Sequence, residues 1–179
     1  MNALAKPEVG KYLNEHCVAC YQKVGTFQLA GGNKQGGNVA GYFTTPDGRV
    51  LHCVAGPVDA NTLLREARWA VEVWKLALLE GKSDRTTRFR AVLAKAHRDR
   101  LQREHGTALK AFAWNADTVT PAQIGMTLDR FARRGGLTNQ GRVHVILASY
   151  AAPRLEQIYG VVFHKILNED ISTLPVVQR

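Results

Sequence analysis

Residues 38–56 read NVAGYFTTPDGRVLHCVAG and place two strand-like runs on either side of a tight-turn sequence. Pro46 presets φ at one turn position, and Gly48 supplies the positive φ that another position needs. The flanking runs are rich in β-branched and aromatic residues, which favour strands. The sequence therefore predicts a β-hairpin whose turn lies at TPDGRV.

The segment before the hairpin predicts a short helix, a strand and a glycine-rich loop. PEVGKYLN, residues 7–14, reads as a helix with Pro7 in its first turn. Residues 17–27 are of β type. LAGGNKQGGN, residues 29–38, is rich in glycine and reads as a connecting loop.

After the hairpin, capping residues and an apolar period near 3.6 predict helices for most of the chain. Asp59 or Asn61 can cap the first of them, and Asp84 can cap the second. The predicted helices cover residues 60–80, 84–105, 121–133, 140–150 and 153–167, and the tail from residue 170 is predicted to be extended.

The order of these elements resembles the later part of a thioredoxin-like domain, in which a helix leads into a central strand and a hairpin precedes the final helix. PEVGKYLNEHCVACYQKV and GNVAGYFTTPDGRVLHCVAGPVDANTLL carry the resemblance, which covers about residues 7–80. The first βα unit and the cis-proline usual in that family are missing. The fold class implied is α/β: an incomplete or atypical thioredoxin-like sheet with a β-hairpin over residues 1–81, then a mainly α-helical extension over residues 82–179.

The composition is that of an ordinary soluble globular protein. Of 179 residues, 45% are hydrophobic and 22% are charged. No apolar run approaches the roughly 20 residues that span a bilayer, and the first dozen residues lack the apolar stretch of a signal peptide. We therefore expect a cytoplasmic protein without a membrane partner. Three cysteines, an odd number, indicate reduced thiols in such a compartment.

The sequence CVAC, residues 17–20, raises the question of thiol redox chemistry. In thioredoxin-like oxidoreductases the dithiol opens a helix, because the helix N-terminus stabilises the thiolate. In this chain Cys17 and Cys20 follow a predicted helix and fall on a predicted strand. Residues three apart on a strand face opposite sides, with Cα atoms roughly 10 Å apart, too far for a disulfide. We expect thiols that act as small core residues, and an atypical oxidoreductase using Cys17 and Cys20 is the alternative.

Two His-Cys pairs raise the question of metal binding. His16 with Cys17 and His52 with Cys53 offer soft ligands of the kind that zinc takes, and Cys20 could add another. The CxxC half of a zinc site usually lies on a tight knuckle, whereas Val18 and Ala19 favour a strand. The pairs are therefore weak metal candidates, and no cofactor is predicted.

The positive charge predicts an acidic or anionic partner as one possibility. The net charge is +9, and arginines cluster between Asp84 and Glu104. Apolar residues mark the opposite face of that segment, so we interpret it as a solvated helix face docked on a core. Lys34, Arg88 and Arg98 are the candidate anion contacts. Polyanion or nucleic-acid binding is the lower alternative because no nucleic-acid motif accompanies the cluster.

Protein interaction is the expected function. A sheet that lacks the first βα unit leaves strand edges unpaired, which favours association. A strand from a second subunit could cover such an edge, and this predicts a homodimer. The chain is thus predicted to be a thioredoxin-like module without a standard redox site, which acts in protein interaction or as a structural unit.

Overall fold

The computed structural model describes residues 3–22, 28–30, 33–35, 39–81, 87–110, 116–132 and 135–171. They form a mixed α/β structure in which helices surround an antiparallel hairpin. The helices are α1 (Pro7–His16), α2 (Ala60–Glu80), α3 (Thr87–His105), α4 (Pro121–Ala132), α5 (Asn139–Ser149) and α6 (Leu155–Val161), which continues into a π-helical turn (Val162–Ile166). The strands are β1 (Gln28–Ala30), β2 (Asn33–Gln35), β3 (Ala40–Thr44) and β4 (Val50–Ala55).

The predicted hairpin is confirmed, and it is made of β3 and β4. At its turn the Gly48 N–H donates to the carbonyl of Thr45 at 2.9 Å. Gly48 has φ +78°, a conformation that glycine adopts without a steric penalty. The turn could be predicted because its chemistry is entirely local.

The predicted helix over residues 60–80 is also confirmed. The Asp59 carboxylate accepts a hydrogen bond of 2.8 Å from the backbone N–H of Thr62, which satisfies a donor at the start of α2. Gly81 follows its last residue. The starts and ends of the other predicted helices lie within a few residues of those observed, while the predicted cap Asp84 lies outside the described residues.

The strand predicted over residues 17–27 is wrong for residues 17–22, which have no regular secondary structure. The side chains of Val18 and Tyr21 are 101% and 88% exposed. A β-type run becomes a strand only where a partner accepts and donates its hydrogen bonds, and no described strand pairs with this segment. Residues 23–27 lie outside the described part of the chain.

The glycine-rich segment contains a short hairpin rather than only a connector. β1 pairs antiparallel with β2, and Ala30 lies opposite Asn33. Lys34, a predicted anion contact, lies on β2, and its side chain is outside the described part of the structure.

The core is centred on β4, of which every residue is buried. α2 and α5 both pack on β4, and α3 packs on both of these helices. The larger apolar cluster unites β4 with the C-terminal helices; among its members are Val50, Cys53, Leu101, Ile124, Leu128, Val143, Ile146, Ile158 and Phe163. The segment expected to be an extension therefore supplies most of the core, and the division at residue 81 stays a prediction.

Candidate functional site

A buried ion pair joins α2 to α3. The two terminal guanidinium nitrogens of Arg100 donate to the Glu66 carboxylate, Nη1 to Oε2 and Nη2 to Oε1, each at 2.6 Å. Glu66 is 2% and Arg100 is 4% exposed. The third donor of Arg100, Nε, contacts Oε1 of Glu104 at 2.7 Å. Such two-pronged, charge-assisted bonding offsets the cost of removing both charges from water.

His52 of β4 joins this pair. Its Nε2 lies 2.8 Å from Glu66 Oε2, and its side chain is fully buried. Although burial alone raises the pKa of Glu66, the hydrogen bonds from His52 and Arg100 outweigh burial and hold that pKa well below its ordinary value of 4.5. Glu66 is therefore ionised at neutral pH. Because a carboxylate only accepts, the proton of the His52 ring lies on Nε2.

Two further histidines connect α3 to β4 and α5. Nε2 of His97 lies 2.9 Å from the carbonyl of Leu51, and its Nδ1 lies 2.8 Å from Nδ1 of His144. A carbonyl only accepts, so His97 carries its proton on Nε2. A neutral ring has a single N–H, and therefore Nδ1 of His144 donates to Nδ1 of His97. We refer to His52, Glu66, His97, Arg100 and His144 as the histidine cluster.

All three rings of the histidine cluster are neutral at pH 7. Burial lowers the pKa of His52 and of His144, and it lowers the pKa of His97 to about 3. Nδ1 of His52 and Nε2 of His144 are buried and have no hydrogen-bond partner among the described residues. Both atoms are the unprotonated nitrogens of their tautomers. Each therefore presents a lone pair, not an unsatisfied N–H.

Trp69 of α2 packs against the cluster. The centroid of its ring is 4.8 Å from that of His52 and 4.9 Å from that of His97, both edge-on. The guanidinium carbon of Arg100 lies 4.8 Å from the same centroid, which adds a cation–π contact. With its members at most 4% exposed, the cluster is shielded from a substrate and works as a polar joint between α2, α3, α5 and β4.

The surroundings of Cys17 do not activate its thiol. Cys17 directly follows the last residue of α1, and its N–H donates to the carbonyl of Leu13 at 2.7 Å. Burial raises the pKa of the Cys17 thiol. The partial negative charge of a helix C-terminus also disfavours a thiolate, whereas thioredoxin-like enzymes use a helix N-terminus. The condition for the oxidoreductase alternative, that Cys17 begin a helix, is not met.

The expectation that the thiols lie in the core is correct only for Cys53. Cys53 is fully buried on β4, and burial raises its pKa. Cys20 is exposed, and Cys17 is half-buried. Because residues 17–22 are not a strand, the separation expected from strand geometry does not apply to Cys17 and Cys20.

The two His-Cys pairs differ in their environments. His16 is exposed at the end of α1, whereas His52 and Cys53 are buried on β4. Nε2 of His52 is already bonded to Glu66. Within the described ranges, no three His, Cys, Asp or Glu side chains are placed to hold one metal ion.

Much of the positive charge on α3 is paired with carboxylates. Arg90 contacts Asp117 at 2.7 Å, and Lys95 contacts Asp99 at 2.5 Å. Arg100, which we interpreted as part of a solvated face, is instead buried. The prediction for Arg100 is wrong because its charge is balanced by carboxylates inside the protein, which the sequence does not reveal.

The two candidate anion contacts on α3 lie on its surface. Arg88 is exposed in the first turn, and Arg98 is half-buried ten residues later. Lys34 has no described side chain that could be placed beside them. The structure therefore does not bring the three predicted residues into one described site.

The residues of the histidine cluster leave a signal that sequence reasoning missed. Glu66 lies three residues after Leu63 and four before Ala70, and so interrupts the apolar stripe of α2. His97 likewise lies four residues after Leu93 on the buried face of α3. Polar residues at core positions of two helices indicate that each has a buried polar partner, although the pattern does not name the partners.

No protein-family model, curated protein or solved structure matches the chain. The resemblance of residues 7–80 to a thioredoxin-like domain therefore remains a prediction from sequence. No described helix is long and apolar enough to cross a membrane.

We predict that Arg100→Met lowers the free energy of unfolding by about 3–5 kcal/mol, because it leaves the buried Glu66 carboxylate without its cation. In the double variant Glu66→Gln, Arg100→Met no buried charge is left uncompensated. Its loss should therefore be clearly smaller than the sum of the two single losses, as measured by urea denaturation. Strictly additive losses would contradict the pairing.

We also predict a fixed order of thiol modification in the native protein. Cys20 should react first with a water-soluble disulfide reagent, since it is exposed, and Cys53 should react only after denaturation. Peptide mass spectrometry of briefly labelled protein measures the order. The variant Cys53→Ser lacks one labelled peptide and so identifies the peptide that contains Cys53. Labelling of Cys53 as fast as Cys20 would show that β4 is not buried in solution.

Proposed function

We propose that the chain is a non-catalytic protein-interaction module that accepts an extended strand at the outer edge of β3. β3 pairs with β4 on one side, and no other strand in the described ranges pairs with it. Its sequence, AGYFT, has neither a charge nor a proline. Natural edge strands that avoid association usually carry such residues, so an uncharged edge is the observation that carries the proposal.

The ladder indicates which backbone groups are available for pairing. The carbonyl of Val39 accepts a hydrogen bond of 2.8 Å from the N–H of Gly56, so Val39 faces the partner strand. Because an antiparallel ladder alternates, Gly41 also faces β4, whereas Ala40 and Tyr42 direct their N–H and C=O groups outward. We call these outward groups the β3 edge.

The occupant that we propose is a second copy of the chain. If two β3 strands pair antiparallel about a twofold axis at Tyr42, each Tyr42 exchanges backbone hydrogen bonds with its counterpart, and two hairpins become a four-stranded sheet. Such pairing would satisfy the outward backbone groups of β3 and extend a sheet whose strand β4 is already packed by α2 and α5. A Cβ at Gly41 would meet no atom of the described residues within 4 Å, so the face of the strand has room for a side chain at this position.

The alternatives have less support from the structure. Thiol-disulfide exchange requires an activated thiol, and Cys17 lies at the wrong end of a helix. Polyanion binding would use the cations of α3, of which Arg90 and Lys95 are already paired. Salt separates polyanion binding from self-association: it weakens a polyanion complex, whereas screening the +9 charge of each chain strengthens a dimer.

We predict that the wild-type chain sediments as a dimer and that Gly41→Lys weakens the dimer about tenfold or more. The substitution places two like charges near the twofold axis, which costs several kcal/mol at an interface. The matched control is Gly10→Lys on α1, where a Cβ also meets no described atom within 4 Å and the same charge is added. Sedimentation equilibrium measures both.

A wild-type chain that stays monomeric over the whole concentration range would refute the dimer. Equal dissociation constants for Gly41→Lys and Gly10→Lys would place any dimer interface away from the β3 edge. Circular dichroism of both variants verifies that they retain the wild-type helix content.

A further inference from the structure

We propose that the histidine cluster is an acid-operated switch, in which His144 senses the proton and α5 separates from α3 and β4 in response. This device goes beyond the proposed association at the β3 edge, and it does not depend on that association. It rests on the geometry of three buried rings that connect α5, α3 and β4.

His144 has a single site for an additional proton. Its Nδ1 already donates to His97 across 2.8 Å, so the proton must bind to Nε2. Nε2 is buried and faces no hydrogen-bond acceptor in the described part of the protein. Protonation would therefore create a buried, charged N–H without a partner, which the closed structure cannot stabilise.

The groups that surround His144 do not compensate its charge. Those that face it are His52 of β4 and His97, Arg100 and His105 of α3, with Glu66 of α2 as the buried carboxylate of the cluster. Glu66 is already bound to His52 and to both terminal nitrogens of Arg100. A charged His144 would thus add to the cationic side of a cluster whose anion is fully engaged.

Protonation of His97 has the same consequence. Its Nε2–H is held by the Leu51 carbonyl, so a second proton must bind to Nδ1. This would set its N–H against that of His144, with the two nitrogens 2.8 Å apart. In either position, one added proton places a buried N–H without an acceptor at the contact between α3 and α5.

The pH range of the switch follows from the shifts in the closed state. Burial lowers the pKa of His52, His97 and His144 below the ordinary value of 6.5. The open chain therefore binds more protons below pH 6.5, so stability is complete above that pH and falls as the pH decreases. Glu66, whose pKa is also lowered, adds a loss only below its ordinary value of 4.5. The interval between these values is dominated by the histidines.

The test uses His144→Asn in the full chain. The Nδ2–H of asparagine can take the place of the Nδ1–H that His144 donates, but asparagine cannot bind a proton in this range. We expect the unfolding equilibrium constant of the wild type to rise more steeply on acidification than that of His144→Asn, with the difference approaching about tenfold per pH unit well below pH 6.5. The control His16→Asn removes an exposed imidazole and should follow the wild type.

Urea titrations between about pH 7.5 and about pH 5 measure these slopes. Equal slopes for the wild type and His144→Asn would overturn the proposal, as would a wild-type stability that does not change with pH. If His144→Asn fails to fold, hydrogen exchange of the wild type decides. Protection of the α5 amides, corrected for intrinsic exchange, should fall over this interval, and protection that is independent of pH would overturn the switch.

Discussion

The two-pronged bond between Glu66 and Arg100 is the interaction on which the rest of the core depends. It joins α2 to α3 inside the protein, and it fixes the carboxylate oxygen that accepts from His52 of β4. A buried ion pair is costly unless nearly all of its donors and acceptors are used. Here Arg100 uses all three of its nitrogens, and both oxygens of Glu66 accept. The pair therefore links α2, α3 and β4 through bonds of defined direction, a geometric constraint that apolar contacts lack.

The buried strand β4 connects the core to the proposed interaction surface on β3. β4 is buried over its whole length. The bond from His52 to Glu66 and the bond from His97 to the Leu51 carbonyl hold β4 in place, and β3 pairs along its other side. A strand that is to accept another strand must keep its backbone groups aligned. In the interaction module that we propose, the polar joint provides that alignment, which gives these buried titratable residues a structural role.

The features that could be predicted from sequence are those whose causes are local. The turn at Gly48 and the cap at Asp59 depend on neighbours within a few residues, and both occur where predicted. The prediction of a strand over residues 17–22 was wrong because a strand needs a hydrogen-bonding partner, which no local pattern reveals. The histidine cluster was missed for the same reason. Glu66 and Arg100 are 34 residues apart in the chain, and no local pattern shows that one is the buried partner of the other.

The protonation pattern of the three buried rings is the most direct test of this account. Nitrogen-15 NMR of the imidazole side chains distinguishes the two neutral tautomers from the charged ring. At neutral pH we expect His52 and His97 to carry the proton on Nε2 and His144 to carry it on Nδ1. A charged ring at any of these residues, or His144 with its proton on Nε2, would contradict the hydrogen bonds on which the polar joint rests.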